Sequence, residues 1–240
     1  MKNVINITIK ELKDYFISPI AYVVIAVFVV VVGILFAKDL FLNNQANIRP
    51  FFEIVPSILI IVIPSLTMRS WAEEKREGTL EIISTLPVSK VELILSKFIS
   101  CLLFVVFLIL LTFPIPLTLN LLGSPDNGVI VAGYIGLILI SASYVTIGQF
   151  ISINTQNQIV AFILSAIIIA VLYLFGEPQF LQVVPISLRS IFEALGLGAH
   201  FRSVARGVID SRDILYYLSI IIILFYFINK SFERIRRKGS

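Results

Sequence analysis

Six apolar runs recur along the whole chain, at residues 17–37, 54–70, 98–122, 129–151, 158–175 and 215–229. A helix needs about 20 predominantly apolar residues to cross a bilayer, and the second and last runs, the shortest, reach that length by borrowing flanking residues. Runs this long and this continuously apolar are not strands, and a membrane barrel would alternate apolar and polar positions instead. Helices are then the structure that satisfies every backbone N–H and C=O inside lipid. Composition agrees: 58% of residues are hydrophobic and 14% charged, where soluble domains carry about 25% charge. The expectation is an all-α integral membrane protein of six transmembrane helices, with residues 1–240 forming one domain in the lipid bilayer.

The formal net charge is +4. In a membrane chain such an excess marks cytoplasmic loops rather than nucleic-acid binding, which is set aside. Placing the N-terminus inside puts thirteen of the nineteen Lys and Arg on the cytoplasmic side, so both termini are expected there. Ahead of the first run, residues 1–16 place Val4, Ile7, Leu12, Tyr15 and Phe16 near one helical face and Lys10, Lys13 and Asp14 on the other. That pattern reads as a helix lying in the interface, turning at Ser18-Pro19 into the membrane. Cys101 is the single cysteine, so no intrachain disulfide can form.

One stretch departs from the apolar theme. Residues 71–97, WAEEKREGTLEIISTLPVSKVELILSK, hold five acids and four bases. Leu80, Ile83 and Leu86 repeat at helical spacing behind a polar end made of Glu73, Glu74, Lys75, Arg76 and Glu77, and Gly78-Thr79 offers a bend. Pro87 closes that piece, and Ser89 with Glu92 three residues on forms a capping box for the next helix. A solvated loop obeying the charge rule explains the bases. It does not explain the acids, and a short helix bearing both signs suits docking to a soluble partner.

The pattern EEKREGTLEIISTLPVS, between a second and a third span, resembles the first cytoplasmic loop of ABC-2 type transporter permeases. HFRSVARGVIDSRDILYYLS, residues 200–219, resembles the stretch before the last span in the gliding-motility-associated branch of that family. The resemblance implies a permease of the inner (cytoplasmic) membrane, working with a second permease copy or paralogue and with cytoplasmic ABC ATPase subunits. A membrane protein with a large outer domain is a further partner that this branch implies. The ATP and Mg would sit in the ATPase, and no G-x-x-x-x-G-K-[ST] loop occurs in this chain. Carried over residue by residue, the ATPase-coupling helix would use Glu73, Glu74, Lys75, Arg76, Gly78, Thr79, Leu80, Glu81 and Leu86. Charge reversal at Glu74 or Glu81 is then expected to weaken ATPase binding while the permease stays in the membrane.

Residues 177–213 are too long for a simple loop and too polar to span. Leu188, Ile191, Phe192 and Leu195 form an apolar stripe, Gly196 and Gly198 break it, and a second short helix from His200 ends at Gly207. By the resemblance these are re-entrant or interfacial outer helices, with His200, Phe201, Arg206, Asp210 and Asp213 as gate candidates; an interfacial cover that touches no substrate is the other reading. In the fourth run Ser141, Tyr144, Gln149 and Ser152 form a polar face that must look into protein or a cavity. Pro114 and Pro116 are expected to kink the third span. His200 is the single histidine and no metal-ligating or protease motif occurs, so neither an active site nor a metal site is expected in this chain. Two other functions fit the composition: a membrane anchor or mechanical regulator of an extracytoplasmic complex, and an ATP-independent channel or carrier.

Overall fold

A proline sets the first corner. In the computed structural model, which describes residues 2–43, 47–79, 88–123 and 125–238, α1 (Lys2–Ile17) stops at Ser18 and α2 (Pro19–Asn43) starts on Pro19. The Ser18 amide bonds back to Asp14 O at 3.1 Å, while Pro19 sits where a missing N–H costs the new helix nothing. The apolar face read for α1 is the one that packs: Leu12, Tyr15 and Phe16 lie against the core. Phe104 stacks on Tyr15 at 5.4 Å and meets Phe16 edge-on at 5.2 Å, which lays α1 along the third long helix.

α3 (Arg49–Thr67) begins before the expected run, because Pro50 is tolerated in a first helical turn. A short helix, α4 (Ala72–Arg76), follows it, and α5 (Lys90–Leu110) opens on the expected capping box: Ser89 Oγ accepts from the Glu92 amide at 3.2 Å and Glu92 Oε2 accepts from the Ser89 amide at 3.0 Å. The kink expected at Pro114 and Pro116 is a full break. α5 ends at Leu110, tight turns carry residues 111–113, and α6 (Pro114–Leu122) restarts on the proline. Thr112 Oγ1 bonds to Ile109 O at 2.6 Å and lies 3.0 Å from Tyr134 Oη, so the break stays hydrogen-bonded in an apolar setting.

α7 (Asn127–Asn154) is the central helix, with Asp126 capping it through the Gly128 amide at 2.8 Å. It packs against α3, α5 and every described helix from α8 (Gln158–Leu174) onward except α9 (Pro178–Val183) and α10 (Ile186–Leu195). A Cβ at Gly148 would stand 2.1 Å from Thr67 Oγ1, so α3 approaches α7 as closely as only glycine permits. Then α11 (Leu197–Ala205) and α12 (Ser211–Lys238) complete the chain. Among the described residues five stretches are long and apolar enough to cross a membrane, namely Pro19–Lys38, Arg49–Arg76, Lys90–Leu122, Asn127–Asn154 and Ser211–Arg236. The sixth apolar helix, α8, has 17 residues. No strand occurs among the described residues.

Gly198 departs from its reading as a break. It is the second residue of α11, and a Cβ there would lie 2.7 Å from Tyr173 O; at Gly196 it would lie 2.3 Å from the Gly176 amide nitrogen. These glycines let the start of α11 press onto the end of α8. The remaining turn matches expectation, since Gly207, with φ of +92°, takes the left-handed conformation just past α11.

Candidate coupling site

Lys97 is a base on a face that should carry none. Its neighbours at helical spacing on α5, Leu93, Ile94, Ser100, Cys101 and Phe104, are all buried, and Lys97 itself is 2% exposed. An ammonium so placed needs its charge met and its three donors used. Both are done by acids from other elements: Nζ lies 3.1 Å and 3.2 Å from the two carboxylate oxygens of Glu11 on α1 and 2.7 Å from Glu74 Oε1 on α4. The Trp71 ring, fully buried, stands 5.1 Å from the same nitrogen and adds a cation–π contact. One side chain thus joins α1, the short charged helix α4 and the long apolar helix α5.

α4 has no capping side chain of its own. Its first amides are met from α7: Ser152 Oγ accepts from the Trp71 amide at 3.1 Å and the Ala72 amide at 3.2 Å, and donates to Met68 O at 3.2 Å. Lys75 Nζ donates to the Ile153 carbonyl at the end of α7, where cations are favoured. Beneath these contacts lies a small separate core of Trp71, Leu93, Ile94, Ile153, Ile228 and Phe232, with Phe232 meeting Trp71 edge-on at 5.7 Å. Lys90 pairs with Glu233 at 3.0 Å and Ser231 Oγ donates to Asn154 Oδ1 at 3.1 Å, tying in the far end of α12. Both ends of the described chain therefore lie at this one end of the bundle.

The electrostatics follow burial. α4 lies beyond the apolar part of α3, and burial there pushes the Glu74 carboxyl above its usual range against the opposing pull of Lys97. Burial likewise lowers Lys75. Beside the network a cleft of about 250 Å³ opens between α1 and the end of α3, walled by Asp14, Arg69, Glu73 and Glu77 as well as Glu74. Arg69 reaches Ser18 Oγ from Nη1 at 3.2 Å, which closes the α1–α2 corner onto α3.

The coupling residues read from sequence divide into two groups. Glu74 and Lys75 turn inward to Lys97 and Ile153, whereas Glu73, Arg76 and Glu77 remain on the open side, with Glu73 and Arg76 at 4.0 Å. Gly78 supplies the expected bend with φ of +71°, and Thr79 Oγ1 reaches back to Glu74 O at 3.3 Å. Leu80, Glu81 and Leu86 lie outside the described residues. For Glu74 the expectation changes: reversing its charge would set a base against buried Lys97, so the fold would suffer before any partner did.

Elsewhere the polar face of α7 is buried throughout, but its members differ. Ser152 is the α4 anchor, while Ser141 Oγ, Tyr144 Oη and both amide atoms of Gln149 have no hydrogen-bond partner among the described residues. The gate candidates do not converge on one site. His200 Nδ1 lies 2.7 Å from Asp213 Oδ1 and its ring stacks on Tyr216 at 3.8 Å, joining α11 to α12. Phe201 is core, Asp210 caps α12 through the Arg212 amide at 2.9 Å, and Arg206 lines a separate cavity. Glu11 was not singled out in the sequence. The available signal was Lys97 itself, a base at a core position of α5 that demands an acid from some other element.

The model of a family described as ABC-2 family transporter protein matches residues 34–195, from the last part of α2 through α10 and well over half of the chain. The match takes in Glu74, Lys97 and Ser152 but not Glu11, His200 or Asp213. A comparison with curated proteins finds no match.

Proposed function

The chain belongs to the ABC-2 transporter family, and from that premise we propose that it is the membrane-spanning permease subunit of an ATP-driven exporter. In this reading α2, α3, α5 with α6, α7, α8 and α12 are six spans of the inner membrane, with both termini cytoplasmic. Two such subunits pair, and each grips a cytoplasmic ATPase that holds the ATP and Mg. The stretch at residues 200–219 supports the gliding-motility-associated branch, in which a membrane protein with a large outer domain is a further partner. The helices α9 to α11 then lie at the outer face and cover the substrate path.

The observation that carries the reading is the buried Lys97 bridge to Glu11 and Glu74. The open side of α4, with Glu73, Arg76 and Glu77, offers charge of both signs to a soluble partner, and the acidic cleft beside it can receive a base. A push on α4 is passed to α5 through Glu74–Lys97, to α7 through Ser152, and to α1 through Lys97–Glu11. α1 serves as the brace. A coupling device needs such a linkage, because force on a solvated loop is lost unless the loop is pinned to the spans it must move.

The test uses permease and its ATPase purified together in mild detergent. A variant carrying Glu73→Lys, Arg76→Glu and Glu77→Lys alters only the open side, so it should elute and melt like the wild type yet lose the ATPase activity that co-purifies. Wild-type ATPase retention by that well-folded variant would defeat the proposed contact, and ATPase missing from the wild type would defeat the ATP-driven reading.

A further inference from the structure

At the end of the bundle remote from both termini, a cavity of about 550 Å³ opens between α3, α8 and α11. Its charges are unevenly used. Arg202 is spent inside the wall, with Nη1 on Glu177 Oε2 at 3.0 Å and Nη2 donating to the Gly176 carbonyl. Arg49, in the first turn of α3, and Arg206, just past α11, line the same cavity, and their guanidinium groups have no hydrogen-bond or ion-pair partner among the described residues. Glu53, one helical turn from Arg49, is equally unpaired there. Two free guanidinium groups and one free carboxylate leave a cavity that attracts an anion and offers a second place to a cation.

Guanidinium pairs suit phosphate, whose oxygens accept their planar N–H donors two at a time. A soluble phosphate ester and a lipid headgroup share that chemistry. The helix below the cavity separates them: on α8, Ile163, Ile167, Val171 and Leu174 repeat at helical spacing, each is at least 41% exposed, and Leu174 itself lines the cavity. An acyl chain laid along that stripe arrives with its phosphate at the two arginines, and a soluble ester gains nothing from it.

We propose that this cavity seats the phosphate of a phospholipid headgroup between Arg49 and Arg206, with Glu53 receiving the ammonium when the headgroup is zwitterionic. The site stands apart from the coupling network and does not depend on the ATP-driven reading.

Delipidated full-length permease, titrated with phosphatidylethanolamine or phosphatidylglycerol and followed by native mass spectrometry, tests it. Wild type should retain lipid, and the Arg49→Gln/Arg206→Gln variant should weaken retention by about tenfold or more. Both arginines are exposed and lack a partner among the described residues, so an unchanged melting temperature is expected, and the two single variants should each show part of the loss. Arg212→Gln, which alters an exposed base outside the cavity, should bind like wild type. Glu53→Gln should shift preference from phosphatidylethanolamine toward phosphatidylglycerol. Wild-type retention by the double variant overturns the site. Equal displacement of lipid by soluble glycerophosphoethanolamine overturns the lipid assignment in favour of a soluble ester.

Discussion

A lysine that is 2% exposed among Leu, Ile and Phe side chains carries a large desolvation penalty, and Glu11 and Glu74 offset it because all three of its donors find carboxylate oxygens. Removing one partner is worse than removing all. Lys97→Met strands two acids and should cost about 3 kcal/mol, at the low end for a buried pair because both acids keep some exposure. Thermal unfolding in detergent would show it as a lowered midpoint. The triple variant Glu11→Gln/Glu74→Gln/Lys97→Met should regain most of the loss, since no charge is then left buried. A wild-type midpoint for Lys97→Met would mean the bridge contributes nothing. The burial of Lys97 was legible in the spacing of its neighbours on α5. Its partner Glu11 was not, because the two stand 86 residues apart and only the laying of α1 along α5 brings them together.

Local chemistry announces helix ends more clearly than helix functions. The Ser18-Pro19 corner, the Ser89–Glu92 capping box and the turn at Gly207 follow from residue types within one turn, and each was readable. The cap of α4 was not, because its acceptor comes from α7, 81 residues from Trp71. Nor was the break between α5 and α6, which depends on Thr112 and Tyr134 keeping an interrupted helix satisfied. Ser152→Ala removes the acceptor for two buried amides and should cost about 1–2 kcal/mol, most of it confined to α4. Hydrogen exchange is the direct readout: amides of residues 71–76 should exchange faster while those of α7 keep their protection. Unchanged exchange in residues 71–76 would show that α4 is held by other contacts.

Across the whole molecule, burial sorts the long helices by position. The apolar stretch of α7 is 67% buried, against 17% for α2 and 11% for α12, so α7 forms the axis while the other two leave most of their surface outside the core. The two ends then differ in character. One carries a buried ion bridge and a small separate core that lock α1, α4, α5, α7 and α12 together; the other carries glycine-mediated backbone contacts and a cavity with charges that lack partners among the described residues. The apolar runs disclosed the long apolar helices, but this contrast was out of reach, since it rests on which charges find partners after folding.

Trp71 is the single tryptophan of the chain, and it lies fully buried at the joint, within 5.1 Å of the Lys97 ammonium. The molecule therefore contains its own optical gauge. Excited at the long-wavelength edge of its absorption, where its tyrosines contribute little, the permease emits from one place, and with a tryptophan-free ATPase bound so does the complex, so no label is needed to watch that place. At rest the band should be blue-shifted and poorly quenched by acrylamide; if docking at α4 loosens the joint, the band should move to the red and quenching should rise. A spectrum indifferent to a bound, cycling ATPase would mean that the joint stays rigid while the rest of the machine moves around it.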